Sequence, residues 1–324
     1  MNAGTIEIHY WLNDGSHTMD ADVFNRCEYE LLGILNEISA KLKLQIKVEV
    51  EPIEEGGIRA WLKLNCPSTK SIKDTLLFQI FLGVFINVVS IPVTQTLSKL
   101  YDKVIDQVFE DPEILALEKE RDKAKLENEI ATYKLDTKRK CENLDENKIK
   151  KKKSNYYAKA KECRKLEKIS FSITDSQKQH AFKTVDVIQS DFEKFIMASD
   201  ELEPEENENA IIEIISPVLK QGKYKWHGIY EGETIQFNMK SSEFKKMVLD
   251  GKVSFQNGSA IVCRLITKKK VNAEGDVKVS GYDVLEVFNI IINDVKTETP
   301  EGKRKRQNKE AENKQLSLFP ESLF

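Results

Sequence analysis

The chain opens on alternation. Residues 5–12 (TIEIHYWL) switch between apolar and polar side chains, the period of a half-buried strand. Asn13-Asp14-Gly15-Ser16 is a turn signal, and beyond it the period lengthens. Val23, Cys27, Leu31, Ile34, Leu35, Ile38 and Leu42 recur at spacings of three and four, which predicts a helix from Asp20 at its N-cap to about Leu44. Period two returns at 45–51 (QIKVEVE) and 58–64 (IRAWLKL), on either side of Glu54-Glu55-Gly56-Gly57. The expected unit is β-α-β-β over residues 1–70, small for an independent core.

Residues 75–98 (TLLFQIFLGVFINVVSIPVTQTLS) break both periods: 24 positions carry no charge, in a chain that is 32% charged. As a helix the 18 residues 76–93 would reach roughly 27 Å, close to the ~30 Å of a bilayer core. Three readings fit: a membrane span with the C-terminal side in the cytoplasm, a re-entrant or interfacial hairpin broken at Pro92, and a buried helix in an oligomer. No basic region followed by an apolar core precedes it, so no secretory signal is expected and the span reading strains.

Residues 111–170 form a charged helical region. Glu, Lys, Leu and Ala dominate 113–143, with Leu117, Ala124 and Ala131 seven apart, a weak heptad that predicts a helical hairpin or loose coiled coil. Net charge is −3 overall, yet residues 134–168 hold 14 Lys or Arg against 6 Asp or Glu. Lys150, Lys151, Lys152 and Lys153 run into Tyr156 and Tyr157; basic residues beside aromatics bind nucleic-acid phosphates or anionic lipid, and otherwise form a solvated helix face. Residues 171–209 are transitional and end in an acidic linker, DELEPEENE.

Period two resumes at 210–219, 224–230 and 234–239, a capped helix follows at 241–249, and Asn257-Gly258 signals a hairpin between 253–255 and 260–267. With a last hairpin ending at Ile292, residues 210–294 predict a small antiparallel β-barrel-like domain whose ligand the pattern leaves open. Beyond it, 295–324 is polar and charged, carries Lys303, Arg304, Lys305 and Arg306, and reads as a disordered tail.

That tail ends in Gln315, Leu316, Ser317, Leu318 and Phe319, followed by Pro320. Apolar side chains closing a polar segment serve as an anchor rather than a core. The pentapeptide resembles the consensus by which bacterial polymerases and repair proteins dock on the replicative sliding clamp. That resemblance implies Gln315 in a polar subsite, Leu318 and Phe319 in an apolar one, and Leu316 with Ser317 as the link. The eukaryotic form of the motif fails, because Glu321 and Ser322 stand where its aromatic pair would be. A single peptide binds weakly, so an oligomer would gain by avidity on a ring, and the basic quartet adds a contact for nearby DNA.

Catalytic chemistry is sparse. His17 and Asp20 at a helix start have the types for acid–base work, and equally for capping and a surface histidine. No glycine-rich phosphate loop and no GxSxG occurs, five dispersed cysteines make neither a disulfide framework nor a zinc site, and no metal or cofactor is expected. HTMDADVFNRCE (17–28) with EEGG (54–57), and SPVL (216–219) with KWHGIY (225–230), resemble a group of bacterial proteins of this length; the resemblance implies a bacterial origin and carries no activity. The reading is an α+β chain, cytoplasmic or at the inner face of the membrane, homo-oligomeric, and non-enzymatic: an adaptor or sensor on the clamp, with phage or plasmid defence as its setting. The alternative is a membrane-associated defence effector acting through 75–98.

Overall fold

In the computed structural model, the structure describes residues 3–16, 18–51, 58–65, 72–95, 97–109, 123–142, 146–174, 181–220 and 222–318. The chain forms two compact units, Met1–Ala198 with Ala273–Asp276, and Ser199–Asn272 with Val277–Phe324.

The first unit is built on an antiparallel sheet of five strands. β1 (Ala3–Leu12), β2 (Lys47–Glu51) and β3 (Ile58–Asn65) are joined by β4 (Leu166–Thr174) and β5 (Ala181–Ile188), in the order β2-β3-β1-β4-β5. β4 thus takes residues 166–170 from the region expected to be helical and 171–174 from the transitional one, which also supplies β5, with Ile6 opposite Ile173 and Ile8 opposite Phe171. Register puts Ile6, Ile8 and Tyr10 on the same face as Ala60, Leu62, Phe171 and Ile173, and all of them are buried. α1 (Ala21–Leu42) buries Val23, Cys27, Leu31, Ile34, Leu35, Ile38 and Leu42 in the same core. Asp20 caps its start, and Lys43 closes it in the left-handed region at φ 57°.

The uncharged stretch is not one helix. α2 (Ile72–Ser90) stops short of Pro92, and α3 (Leu97–Phe109) begins after a turn. Leu76, Leu77, Phe78, Ile80, Phe81, Leu82, Val84, Phe85, Ile86, Val88 and Val89 are all buried within this one chain. α2 buries its apolar side chains against α1, α3, β4, β5 and α5 (Glu146–Lys161), while Gln79 stays exposed and Gly83, Asn87 and Ser90 are half-buried. Among the described residues no helix is long and apolar enough to cross a membrane.

The end of α2 is capped by the basic run. Lys153 donates to the Ile91 carbonyl at 2.7 Å, and the Tyr157 hydroxyl donates to the Val89 carbonyl at 2.5 Å. Both side chains are fully buried. A lysine amine here satisfies a carbonyl past the last turn and meets the negative end of the helix dipole. α4 (Lys123–Glu142) packs on α3, with Lys134 2.8 Å from Asp106, and α5 packs on α1.

α2 and α3 touch at Gly83, where an added Cβ would lie 2.7 Å from Val104 Cγ1. Gly83→Ala is expected to lower stability by about 1–3 kcal/mol despite its better helix propensity. In a double-mutant cycle by urea unfolding, Gly83→Ala with Val104→Ala should cost less than the sum of the singles; strict additivity would remove this contact as the cause.

The second unit is a closed barrel. β6 (Glu205–Ser216), β7 (Trp226–Tyr230) and β8 (Glu233–Met239) form a meander, α6 (Ser242–Leu249) follows, and β9 (Ala260–Val271) and β10 (Val277–Ile292) form a hairpin. β9 pairs antiparallel with β6, and β10 pairs parallel with β8, so the order β10-β8-β7-β6-β9 returns to β10. This five-stranded Greek-key closure, with its helix between the third and fourth strands, is the OB arrangement. One pairing is parallel, so the barrel is mixed where a purely antiparallel one was expected. Residues 253–255 are not a strand: Asn257-Gly258 is a turn, but Val253 and Phe255 pack into the core instead of pairing. Trp226 sits at the centre, 5.7–6.1 Å from the rings of Phe237, Phe244 and Phe255. The acidic linker is the start of β6, where Glu205 and Glu206 pair with Lys269 and Arg264.

Candidate functional site

Residues 295–318 are ordered rather than a loose tail. β11 (Val295–Glu298) adds to β10, and α7 (Pro300–Leu318) follows. Pro300 stands at the first helical position, and the Thr299 hydroxyl accepts from the Gly302 amide at 3.0 Å. Glu301 is buried in the first turn: its carboxylate accepts from Ser241 Oγ at 2.7 Å and from the Val287 amide at 2.6 Å. Ser241 in turn caps α6 through the Phe244 amide at 2.9 Å. A single carboxylate thus ties the start of α7 to both α6 and β10, where its desolvation is offset by charge-assisted hydrogen bonds.

Beyond that anchor the helix flanks the barrel as far as Asn308 and Lys309, which line a cavity with Glu208, Arg264 and Glu286. Residues 307–311 are exposed, and 303–314 (KRKRQNKEAENK) are polar but for one alanine, stabilised by propensity and by the Arg306–Glu310 pair. The basic quartet is largely spent along it. Arg304 pairs with Glu243, Arg306 with Glu298, and Lys305 lies 3.6 Å from Glu208 and 3.9 Å above the Phe288 ring. Lys303 is exposed. Gln315, Leu316, Ser317 and Leu318 form the last turn of α7; Phe319 lies outside the described residues.

The other sequence candidates fall elsewhere. Lys152 and Lys153 are buried, with Lys152 3.9 Å from Glu30, and Lys150 is 3.0 Å from Glu146. Lys151 is half-buried in the same helix. The expected phosphate- or lipid-facing patch therefore loses its two inner lysines, together with Tyr156 and Tyr157, to the core. Burial holds the Lys153 amine down at about 7, with the Lys150 charge adding to the effect. Asp20 accepts from the Asp22 and Val23 amides at 2.8 and 3.2 Å, as a cap does, and His17 lies outside the described residues. Among the described residues no group of three or more His, Cys, Asp or Glu is placed to hold a metal.

One polar cluster was not anticipated. On the face of the first sheet opposite its core, His9 stacks on Trp11 at 3.9 Å, and Trp11 Nε1 donates to Ser170 Oγ at 2.7 Å. Ser170 donates to Asp186 at 2.7 Å, and Lys168 reaches the same carboxylate at 2.6 Å. Burial, with Arg59 and Lys168 nearby, pushes His9 down to about 4, so it is neutral at neutral pH. The alternation in 5–12 placed His9 and Trp11 on one face; the partners come from strands more than 150 residues away and carry no local signal. Among these described residues Ser170 is engaged by Trp11 and Asp186, and His9 is placed by its stacking on Trp11.

No protein-family model, no curated protein and no solved structure matches the chain.

Proposed function

We propose that the chain is a non-enzymatic bacterial adaptor or sensor that docks on the replicative sliding clamp through Gln315, Leu316, Ser317, Leu318 and Phe319. What supports this reading is the placement of the peptide. Residues 315–318 end α7, a helix exposed over 307–311 whose base is fastened to the barrel by Thr299 and Glu301. A recognition peptide needs to be presented clear of its own fold, and a helical arm presents it at less ordering cost than a loose chain. A protein that watches replication in this way suits a response to phage or plasmid DNA. The burial of the apolar side chains of α2 against α1, α3 and the sheet speaks against the membrane-effector reading.

The test is retention on an immobilised bacterial sliding clamp. The unaltered chain should be held, while Gln315→Ala, or Leu318→Ala with Phe319→Ala, should weaken binding at least ~10-fold, the loss of one anchoring contact. Equal retention of all three would overturn the proposal.

A further inference from the structure

A second binding surface lies on the barrel. The β6–β7 connection, the end of β8 and α6 enclose a cavity of about 730 Å³, within the ~300–1,000 Å³ of small-ligand clefts. Lys220, Lys223, Lys240, Lys245 and Lys246 line it, and all five are exposed. Asp250 is the one carboxylate among the described lining residues, and it lies 3.4 Å from Lys252. Tyr224, 58% exposed, and the exposed Leu249 also line it.

Elsewhere on this unit six cations are matched, while Lys225, Lys270, Lys278, Lys296, Lys303 and Lys309 stand outside the cavity lining. Arg264, Lys268, Lys269, Arg304, Lys305 and Arg306 each face a glutamate or aspartate within ion-pair distance. Among the described residues, Lys220, Lys223, Lys245 and Lys246 have no carboxylate within that distance. Four lysines without a carboxylate partner thus line a single concave place, together with Lys240.

We propose that this groove binds single-stranded nucleic acid, with the lysines on the phosphates and Tyr224 under a base. The lysines come from three separate elements, the β6–β7 connection, the end of β8 and α6, which suits a chain of phosphates better than a single phosphate group. An exposed ring beside them supplies the stacking platform that such sites use whatever the sequence. Gly222 makes room for that ring: a Cβ there would lie 2.9 Å from Tyr224 Cδ2. The proposal stands on the barrel alone and is independent of the clamp peptide.

The experiment is fluorescence anisotropy of a labelled 12-nucleotide oligothymidine with the full chain, without clamp, at 50 and 200 mM NaCl. Binding is expected, and log K should fall against log salt with a slope of about −2 to −4, for three to five contacted phosphates. Lys223→Glu with Lys246→Glu should weaken it at least ~10-fold and flatten that slope. Tyr224→Ala should weaken it about 5- to 150-fold with the slope unchanged, and Tyr224→Phe should restore it. Lys278→Glu, on an exposed stretch of β10, should change nothing. No binding at 50 mM, equal affinity for the matching duplex, or binding indifferent to the Lys223 and Lys246 changes would each overturn the proposal. So would capture of the chain by anionic phosphatidylserine vesicles through these same lysines without any oligonucleotide binding.

Discussion

Gly302→Val is expected to unseat α7 from the barrel. A Cβ at this position would overlap the Phe288 carbonyl oxygen and lie 2.9 Å from its carbon. The obstacle is backbone, held in the β10–β11 pairing, so no rotamer change relieves it. The same turn is wrapped around that carbonyl. The Thr299 amide donates to Phe288 O at 3.0 Å, the Thr299 hydroxyl donates to the Val287 carbonyl, and the same hydroxyl oxygen accepts from the Gly302 amide. Overpacking of this kind costs about 1–3 kcal/mol, and here it acts where Glu301 has its buried partners. Amide exchange in 299–311 should accelerate about 5- to 150-fold, the equivalent of that cost. Gly281→Ala, where an added Cβ meets nothing within 4 Å, should leave it unchanged. The clamp peptide is intact in Gly302→Val, so retention on the clamp should survive. Loss of retention would show that the seat of the arm, and not its five terminal residues alone, sets the affinity.

The parts of the fold that were legible are those whose pattern is local. α1 was readable because its core positions recur every three or four residues and its cap precedes them. β7 and β8 were readable from period two. What failed to show was long-range. A helix covered by three helices and two strands has the composition of a membrane span, so 76–93 could not announce its own burial. β4 pairs with a strand some 160 residues earlier, and β5 joins the sheet only through β4, so neither carried a local sign of its place. Four consecutive lysines look solvated, yet one reaches a helix end with its methylene stem in the core. The arm has no apolar stripe, so composition read it as disordered; its order rests on the cap at Thr299 and the buried Glu301, two contacts invisible in the sequence. The clamp peptide was legible because it is linear. The lysine groove was not, because its residues gather from the β6–β7 connection, β8 and α6 only when the barrel closes.

The buried amine at the end of α2 should make the first unit more stable as pH rises from 7 to 9. Lys153 is held down at about 7 when folded, whereas the unfolded side chain keeps its proton to about 10.4. Between these values the unfolded state binds more protons, so unfolding free energy climbs with pH, by roughly 2 kcal/mol over two units. Below pH 7 both states are protonated, and the cost of burying the charge is fully present and constant. Other groups act outside this window or are removed by comparison. Glu28, raised to about 7, lowers stability as pH climbs from about 4.5 to 7, while His9, pushed down to about 4, raises it between about 4 and 6.5. Cys27 and Cys263, pushed up to about 12, lower it above 9. Lys183 is also held below the usual lysine range by burial, and acts in the same direction as Lys153. Lys153→Met separates the two. It forfeits the hydrogen bond to Ile91 at every pH but carries no proton, so its advantage over the unaltered chain should be greatest near pH 6 and shrink by roughly 2 kcal/mol at pH 9. Urea unfolding of both proteins across pH 6–9 decides the matter. Parallel curves would mean that the amine keeps its charge in the folded protein, and α2 would then be capped by a fully paid lysinium held against the end of its dipole.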